Sequence, residues 1–190
     1  MISKSVILIG DSIRMGYQAV VQQQLAGLAD VWGPEMNGGD SRKVLNYLDD
    51  WVLIRRPDVV HLNCGLHDIK TPFGSDDCAI PLPQYRANLC EILTRIRRSA
   101  ADIIWATTTP VNDAWHHANK DFDRFEADVD AYNAVAVAVA HEFEVPINDL
   151  HAVIVAAGRD ALLLPDGVHF SEAGYTLLGE TVAHAIRRYW

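Results

Sequence analysis

The chain has 190 residues, of which 49% are hydrophobic and 22% charged, a balance typical of globular proteins and not of disordered ones. At this length we expect a single domain over residues 1–190, because a second independent core would have too few residues. The formal net charge is -9 at pH 7. Because this charge leaves no basic stripe to neutralise phosphates, nucleic acid is not an expected partner.

Short apolar runs rich in β-branched residues alternate with longer segments of helical period. In chain order, the expected strands are residues 6–9, 30–36, 59–63, 103–107 and 145–147. The expected helices are residues 13–25, 41–54, 83–98, 122–143 and 171–189. This alternation predicts an α/β protein with a five-stranded parallel sheet. Two connections, residues 70–82 and 110–120, are longer than usual, and such loops often cover sites.

The N-terminal apolar run ends at polar residues with no small-residue cleavage site, so it predicts a core strand and not a signal peptide. No stretch reaches the roughly 18 to 20 apolar residues of a membrane span, so no membrane insertion is expected. The three cysteines, Cys64, Cys78 and Cys90, lack CxxC spacing and fit reduced thiols. We therefore expect a cytoplasmic protein, with Trp190 anchoring its C-terminus.

Polar and glycine residues follow each of the first three predicted strands. They are Gly10-Asp11-Ser12, residues 37–41 and residues 65–68. In a doubly wound sheet, ligands bind beyond the carboxyl ends of the strands, so these loops are expected to share one edge. Taken alone, Ser12 fits an N-cap better than a nucleophile. Asp11 is expected to brace the turn by accepting backbone N–H groups.

A second motif, Asp166-Gly-Val-His169, precedes the last predicted helix. At this spacing one turn can hold the Asp166 carboxylate against Nδ1 of His169 while Nε2 faces outward. A serine hydroxyl is a poor nucleophile unless a base accepts its proton. We therefore interpret Ser12 as nucleophile, His169 as base and Asp166 as the group that orients the base.

With these motifs in order, the sequence resembles the SGNH hydrolases, also called the GDSL family. The matching blocks are Gly10-Asp11-Ser12-Ile13, Gly39-Asp40-Ser41 and Asp166-Gly-Val-His169, with further matches at Thr108-Thr109-Pro110, Tyr132-Asn133 and Asp149-Leu150. The resemblance implies a flavodoxin-like, three-layer α/β/α sandwich. It also implies hydrolysis of esters without a metal or cofactor.

One block departs from the family pattern. Where Gly-x-Asn-Asp is usual, this chain has Gly65-Leu66-His67-Asp68, so His67 replaces the asparagine that helps to form the oxyanion hole. A histidine still donates one N–H when neutral. The expected oxyanion hole therefore consists of the backbone N–H groups of Ser12 and Gly39 and a ring N–H of His67, with Gly38 as the alternative to Gly39.

Two further residues are candidates for contact with substrate. Asn63 ends the third predicted strand, and Trp115 lies in the long connection after the fourth. For Asn63, a bond to neighbouring backbone is the stronger interpretation, whereas Trp115 fits a substrate-facing aromatic side chain or ordinary loop packing equally well. The adjacent His116 and His117 are expected to point apart, which disfavours a shared metal.

The preferred function is hydrolysis of short acyl esters such as acetyl esters, on a small molecule or a carbohydrate. A lysophospholipase or thioesterase is the first alternative, with a longer acyl chain lined by Pro72, Phe73, Ile80 and Leu82. A ligand-binding domain that has lost catalysis with the missing asparagine is the second. The sequence indicates no particular oligomeric state.

Overall fold

The computed structural model describes residues 4–189, so Trp190, the expected C-terminal anchor, lies outside the described residues. Within this range the strands are β1 Lys4–Ile9, β2 Ala29–Trp32, β3 Val59–Leu62, β4 Asp102–Ala106 and β5 Ile147–Asn148. The α-helices are α1 Ser12–Gln24, α2 Ser41–Asn46, α3 Leu82–Arg97, α4 Asp113–Asn119, α5 Glu126–Glu142, α6 Leu150–Ala156, α7 Arg159–Leu162 and α8 Glu172–Arg187. A π-helical turn, Asp49–Leu53, follows α2.

The strands form one parallel sheet in the order β2-β1-β3-β4-β5. Val6 of β1 pairs with Val31 of β2 on one side and with Val59 of β3 on the other. Strands covered on both faces need continuous apolar runs, and every residue of β3 is buried. The strand order is the doubly wound, flavodoxin-like one, which confirms the predicted fold class.

Helices cover both faces of the sheet. α1 and α6 pack against α8, while α3 packs against α2 and α5. The apolar stripe predicted for α3 is buried as expected, at Tyr85, Leu89, Ile92, Leu93 and Ile96. No helix within residues 4–189 has both the length and the apolar character required to cross a bilayer. Cys64, Cys78 and Cys90 are free thiols.

The second strand and second helix are shorter than predicted. β2 ends at Trp32, before Gly33 and Pro34, and proline cannot donate to a strand ladder. The predicted helix over residues 41–54 divides into α2 and the π-helical turn, and Trp51 of that turn is buried in the core.

The helix predicted over residues 122–143 begins only at Glu126. Just before it, Asp123 forms an antiparallel bridge with Thr71, in which each backbone N–H donates to the carbonyl of the other, at 3.0 and 2.7 Å. A residue paired in this way has no backbone groups left for a helix. The bridge therefore fastens the segment before α5 to the loop after β3.

Candidate active site

Ser12, His169 and Asp166 form a continuous hydrogen-bonded chain at the carboxyl edge of the sheet. The Ser12 hydroxyl donates to Nε2 of His169 over 2.9 Å. The Nδ1–H of His169 donates to Oδ2 of Asp166 over 2.6 Å. All three side chains are half-buried. This geometry suits a serine activated by an oriented base.

The loop after β1, residues 10–12, places Ser12 by capping α1. The Oδ1 atom of Asp11 accepts the backbone N–H of Ile13 over 2.9 Å, which confirms the expected bracing of the turn. Burial raises the pKa of Asp11, which is only 1% exposed. A Cβ on Gly10 would approach the Cβ of Arg14 to 2.7 Å, so this position requires glycine. Ser12 is thus held at the first turn of α1, whose inner face is buried.

The loop before α8 shapes the acid and base pair. Oδ1 of Asp166 accepts the backbone N–H groups of Val168 and His169 at 3.2 and 3.0 Å. Gly167 has φ +71°, and a Cβ there would lie 2.6 Å from the backbone of both Asn112 and His116. A glycine is therefore required where this loop turns against α4.

The Asp166 carboxylate has a cationic neighbour that the sequence analysis did not identify. Lys120, which follows α4, donates to Oδ2 of Asp166 over 3.0 Å. Burial opposes ionisation of Asp166, but hydrogen bonds from His169 and Lys120 hold its pKa below the usual range. The orienting carboxylate therefore stays charged while it accepts from the imidazole.

The loop after β2, residues 37–41, contains both candidate glycines for the oxyanion hole. The backbone N–H of Gly38 donates to the carbonyl of Gly10 over 3.0 Å, and a Cβ on Gly38 would lie 2.5 Å from that oxygen. The N–H of Gly39 donates to Oδ1 of Asn37 over 2.8 Å, and Gly39 has φ +66°. Gly38 thus joins two loops through the backbone, whereas the partner of Gly39 is a side chain that a ligand can displace.

Asp68 joins the loop after β3, residues 65–68, to the loop after β2. Both carboxylate oxygens of Asp68 accept the backbone N–H of Ser41, at 3.0 and 3.1 Å. Burial raises the pKa of Asp68 to about 7. This contact brings the loops after β2 and β3 together at the edge of the sheet where Ser12 lies.

His67 lies next to Asp68 and is half-buried. None of the hydrogen bonds found among residues 4–189 uses its ring. Burial, together with the positive charges of Lys70 and Arg124, lowers the pKa of His67 to about 3. The ring is therefore neutral at physiological pH and offers one N–H donor.

A comparison with protein families identifies the family of this chain. The model of the GDSL-like Lipase/Acylhydrolase family matches residues 8–177. The chain belongs to this family. It is accordingly a hydrolase that acts on ester bonds. A search of curated proteins finds no match.

Solved structures of GDSL enzymes and related esterases share the fold. A lipase/acylhydrolase from Enterococcus faecalis is 27% identical, with a TM-score of 0.83, and the match covers 97% of this chain and 96% of that one. An acetylxylan esterase from Geobacillus stearothermophilus is 21% identical, with a TM-score of 0.76 and coverage of 96% and 94%. A GDSL-like lipase from Bacteroides thetaiotaomicron is 19% identical, with a TM-score of 0.79 and coverage of 98% and 89%.

Asn63 of this GDSL hydrolase has a structural contact. Its Nδ2 donates to the carbonyl of Ala106 over 2.8 Å and so links β3 to β4. No hydrogen bond among the described residues joins Asn63 to Ser12 or His169. The observed contact matches the backbone-bonded interpretation and does not bring Asn63 to the reacting atoms.

Trp115 lies beside the site. It is 37% exposed on α4. A cavity of about 330 Å³ is lined by Trp115, Asn119, Leu163 and Pro165. Because Pro165 precedes Asp166 in the chain, this cavity adjoins the loop that positions the base.

The histidines beside Trp115 turn to different partners. Nε2 of His116 lies 3.0 Å from Nη1 of Arg124, and Nδ1 of His117 lies 2.8 Å from Oδ1 of Asp123. The expectation that the two side chains point apart is confirmed.

A set of groups with metal-binding chemistry lies elsewhere in this GDSL hydrolase. Ligand atoms of Glu126, Asp130 and His151 lie within 4.8 Å of one another. His151 already pairs with Glu126 at 2.8 Å, and the other Glu126 oxygen accepts the backbone N–H of Val111. An ion pair thus accounts for the closest of these contacts.

Proposed function

We propose that this esterase hydrolyses short acyl esters, with acetyl esters of small molecules or carbohydrates as the preferred class, through an acyl-enzyme on Ser12. The observation that carries the proposal is the hydrogen-bonded chain from Ser12 through His169 to Asp166, at 2.9 and 2.6 Å. Each of the three groups has the partner that its role requires.

The reaction follows from this order of groups. His169 accepts the Ser12 proton through Nε2 as the serine oxygen bonds to the ester carbonyl. The resulting imidazolium returns a proton to the leaving alcohol, which leaves the acyl group on Ser12. Water, deprotonated by His169, then releases the acid and restores the serine. Asp166 keeps the Nδ1–H tautomer in place throughout.

The oxyanion donors in this proposal are the backbone N–H groups of Ser12 and Gly39 and the neutral ring of His67. Ser12 contributes from the N-terminal turn of α1, where the helix dipole also favours a negative oxygen. The N–H of Gly39 becomes available when the substrate oxygen replaces Oδ1 of Asn37. Each such donor contributes about 2.7 to 4 kcal/mol to transition-state stabilisation.

Three observations support a short acyl group and a carbohydrate alcohol. The acetylxylan esterase among the structural neighbours acts on an acetylated polysaccharide, as its name states. The exposed ring of Trp115 at the cavity beside Asp166 is suited to stacking against a sugar. Among the residues expected to line a longer acyl tunnel, Ile80 is only 1% exposed and belongs to the core.

Steady-state hydrolysis of a nitrophenyl ester series from acetate to decanoate tests this function. We expect the highest kcat/KM for acetate, and a fall of about four to six orders of magnitude in Ser12→Ala. A maximum at octanoate or decanoate would replace the short-acyl assignment with the longer-chain alternative. Turnover by Ser12→Ala equal to that of the wild type would show that Ser12 is not the nucleophile.

A further inference from the structure

Arg124 is a buried cation without a close anionic partner. Its side chain is 5% exposed. The Nε–H donates to the carbonyl of Leu66, and Nη1 lies 3.0 Å from the ring of His116. Among residues 4–189, no carboxylate lies within salt-bridge distance of the guanidinium, and Nη2 has no hydrogen-bond partner. Burying an unpaired charge is costly, so a guanidinium in this state calls for an anion.

A second cation lies beside Arg124. The bridge between Thr71 and Asp123 aligns two antiparallel segments, so the preceding Lys70 and the following Arg124 flank it on the same side. The Lys70 ammonium lies 4.7 Å from the centre of the Phe122 ring, and the Arg124 guanidinium lies 4.9 Å from the same centre. Like charges opposite each other across two strands are destabilising unless an anion offsets them.

Burial and, for Lys70 and His67, neighbouring positive charge lower the pKa values of these groups. Burial lowers the pKa of Arg124 to about 10. Burial and then the charge of Arg124 lower the pKa of Lys70, and both cations contribute to the low pKa of His67. The protein as a whole carries a formal net charge of -9. The charge of this region is therefore opposite in sign to that of the whole chain.

Carboxylates do lie nearby, at longer range. The charges of Asp11 and Asp166 act on Arg124, and those of Asp121, Asp40 and Asp11 act on Lys70. Both oxygens of Asp166 and Oδ1 of Asp11 already accept hydrogen bonds, whereas Oδ2 of Asp11 is buried without a partner among the described residues. Arg124 donates to the carbonyl of Leu66, the residue before His67, so the two cations lie beside the loop over residues 65–68 at the candidate site.

We propose that Lys70 and Arg124, with the ring of His67 beside them, form a subsite for a carboxylate carried by the ester substrate. One carboxylate oxygen is bound by the Lys70 ammonium and the other by Nη2 of Arg124. The preferred esters are therefore anionic ones, in which the carboxylate belongs either to the acyl group or to the alcohol. This inference rests on the proposed function, because it assigns the substrate class of that same site.

Two isosteric ester pairs distinguish the two positions of the carboxylate. Ethyl hydrogen succinate and ethyl succinamate differ only by a carboxylate or an amide on the acyl side. The pair 4-acetoxybenzoate and 4-acetoxybenzamide places the same difference on the alcohol side. The ratio of kcat/KM within each pair isolates the effect of charge, and comparing wild type with a variant cancels intrinsic reactivity.

Lys70→Met is the appropriate variant, because Arg124 also holds the Leu66 carbonyl and its replacement risks misfolding. We expect Lys70→Met to lower the preference for the anionic member of one pair about tenfold or more. Lys4→Met removes the same charge at the far end of β1 and is expected to leave both ratios unchanged. If Lys70→Met leaves the kcat/KM ratio unchanged in both pairs, the subsite proposal is wrong.

A binding measurement separates this inference from catalysis. In Ser12→Ala, we expect sodium succinate to raise the thermal midpoint above that in sodium chloride of equal ionic strength. The added Lys70→Met substitution should abolish the difference. A succinate effect that needs Lys70, in a protein whose wild type hydrolyses no ester, would keep the subsite and reject the esterase proposal. Equal midpoints in both salts would reject the subsite even if the wild type is an active esterase.

Discussion

Lys120 and Asp166 are joined by a hydrogen bond of 3.0 Å from Nζ to Oδ2. The same oxygen accepts the Nδ1–H of His169. One carboxylate oxygen is therefore shared by a fixed cation and by the imidazole that becomes charged during the proposed reaction. The fixed cation keeps Asp166 ionised, but it also repels the imidazolium.

Removal of this cation should weaken the orientation of the base. In Lys120→Met, Asp166 loses one of the hydrogen bonds that hold its pKa below the usual range, so the carboxylate holds the Nδ1–H of His169 less firmly. We expect kcat/KM to fall by up to about fivefold. Steady-state kinetics of wild type, Lys120→Met and the remote Lys4→Met check this, and equal kcat/KM in all three proteins would contradict it.

His67 should act as an oxyanion donor. His67→Ala is expected to lower kcat about a hundredfold to a thousandfold, while His67→Asn, which restores a side-chain N–H donor, recovers most of the loss. Because the pKa of His67 is about 3, the ring is neutral throughout the working range, and neither variant should add a new ionisation between pH 5 and 8. An His67→Ala variant with undiminished kcat would remove this residue from the oxyanion hole.

Asp68 should make the fold less stable as the pH rises between 3.8 and about 7. Its pKa is raised from 3.8 to about 7 by burial, so between these values the folded protein binds more protons than the unfolded chain. Stability from this group is therefore highest in acid and is lost as the pH rises towards 7. Asp68→Asn, which keeps an acceptor for Ser41, should flatten the decline in thermal midpoint between pH 5 and 8. The exposed Asp76→Asn provides the control, and equal slopes in all three proteins would contradict the assignment.

Trp115 should act in substrate binding and not in the chemical step. Its ring lines the cavity beside Asp166, and no hydrogen bond among the described residues joins it to Ser12 or His169. For acetylated xylo-oligosaccharides, we expect Trp115→Ala to raise KM several-fold and to leave kcat within about twofold, whereas Trp115→Phe retains most of the affinity. Unchanged KM values in Trp115→Ala would leave Trp115 as a packing residue of α4.

Much of this site could be predicted from local sequence. Strands buried on both faces appear as apolar runs, so β1, β3 and β4 were located to within two residues at each end. Ser12, Asp166 and His169 were identified because their motifs directly follow a strand or precede a helix. Three α-helices, α4, α6 and α7, were not predicted, although Asn112 and Asp149 cap α4 and α6 through side-chain oxygens. These capping signals were readable but lie in segments too short to show helical periodicity.

The cations around the site could not be predicted in the same way. Lys70 and Arg124 are 54 residues apart in number, and only the bridge between Thr71 and Asp123 brings them together. Lys120 reaches Asp166 because Gly167 allows α4 to pack closely on the loop before α8. Such contacts depend on tertiary structure between segments that have no pattern of their own.

The nucleophile is tested most directly by intact mass spectrometry after treatment with a fluorophosphonate. We expect the wild type to gain one phosphonyl adduct that peptide mapping places on Ser12, because the proton relay to His169 activates only this hydroxyl. Folded Ser12→Ala should gain none, and His169→Ala should react far more slowly. A wild type that stays unmodified, or an adduct that persists in Ser12→Ala, would contradict the proposal that Ser12 forms the acyl-enzyme.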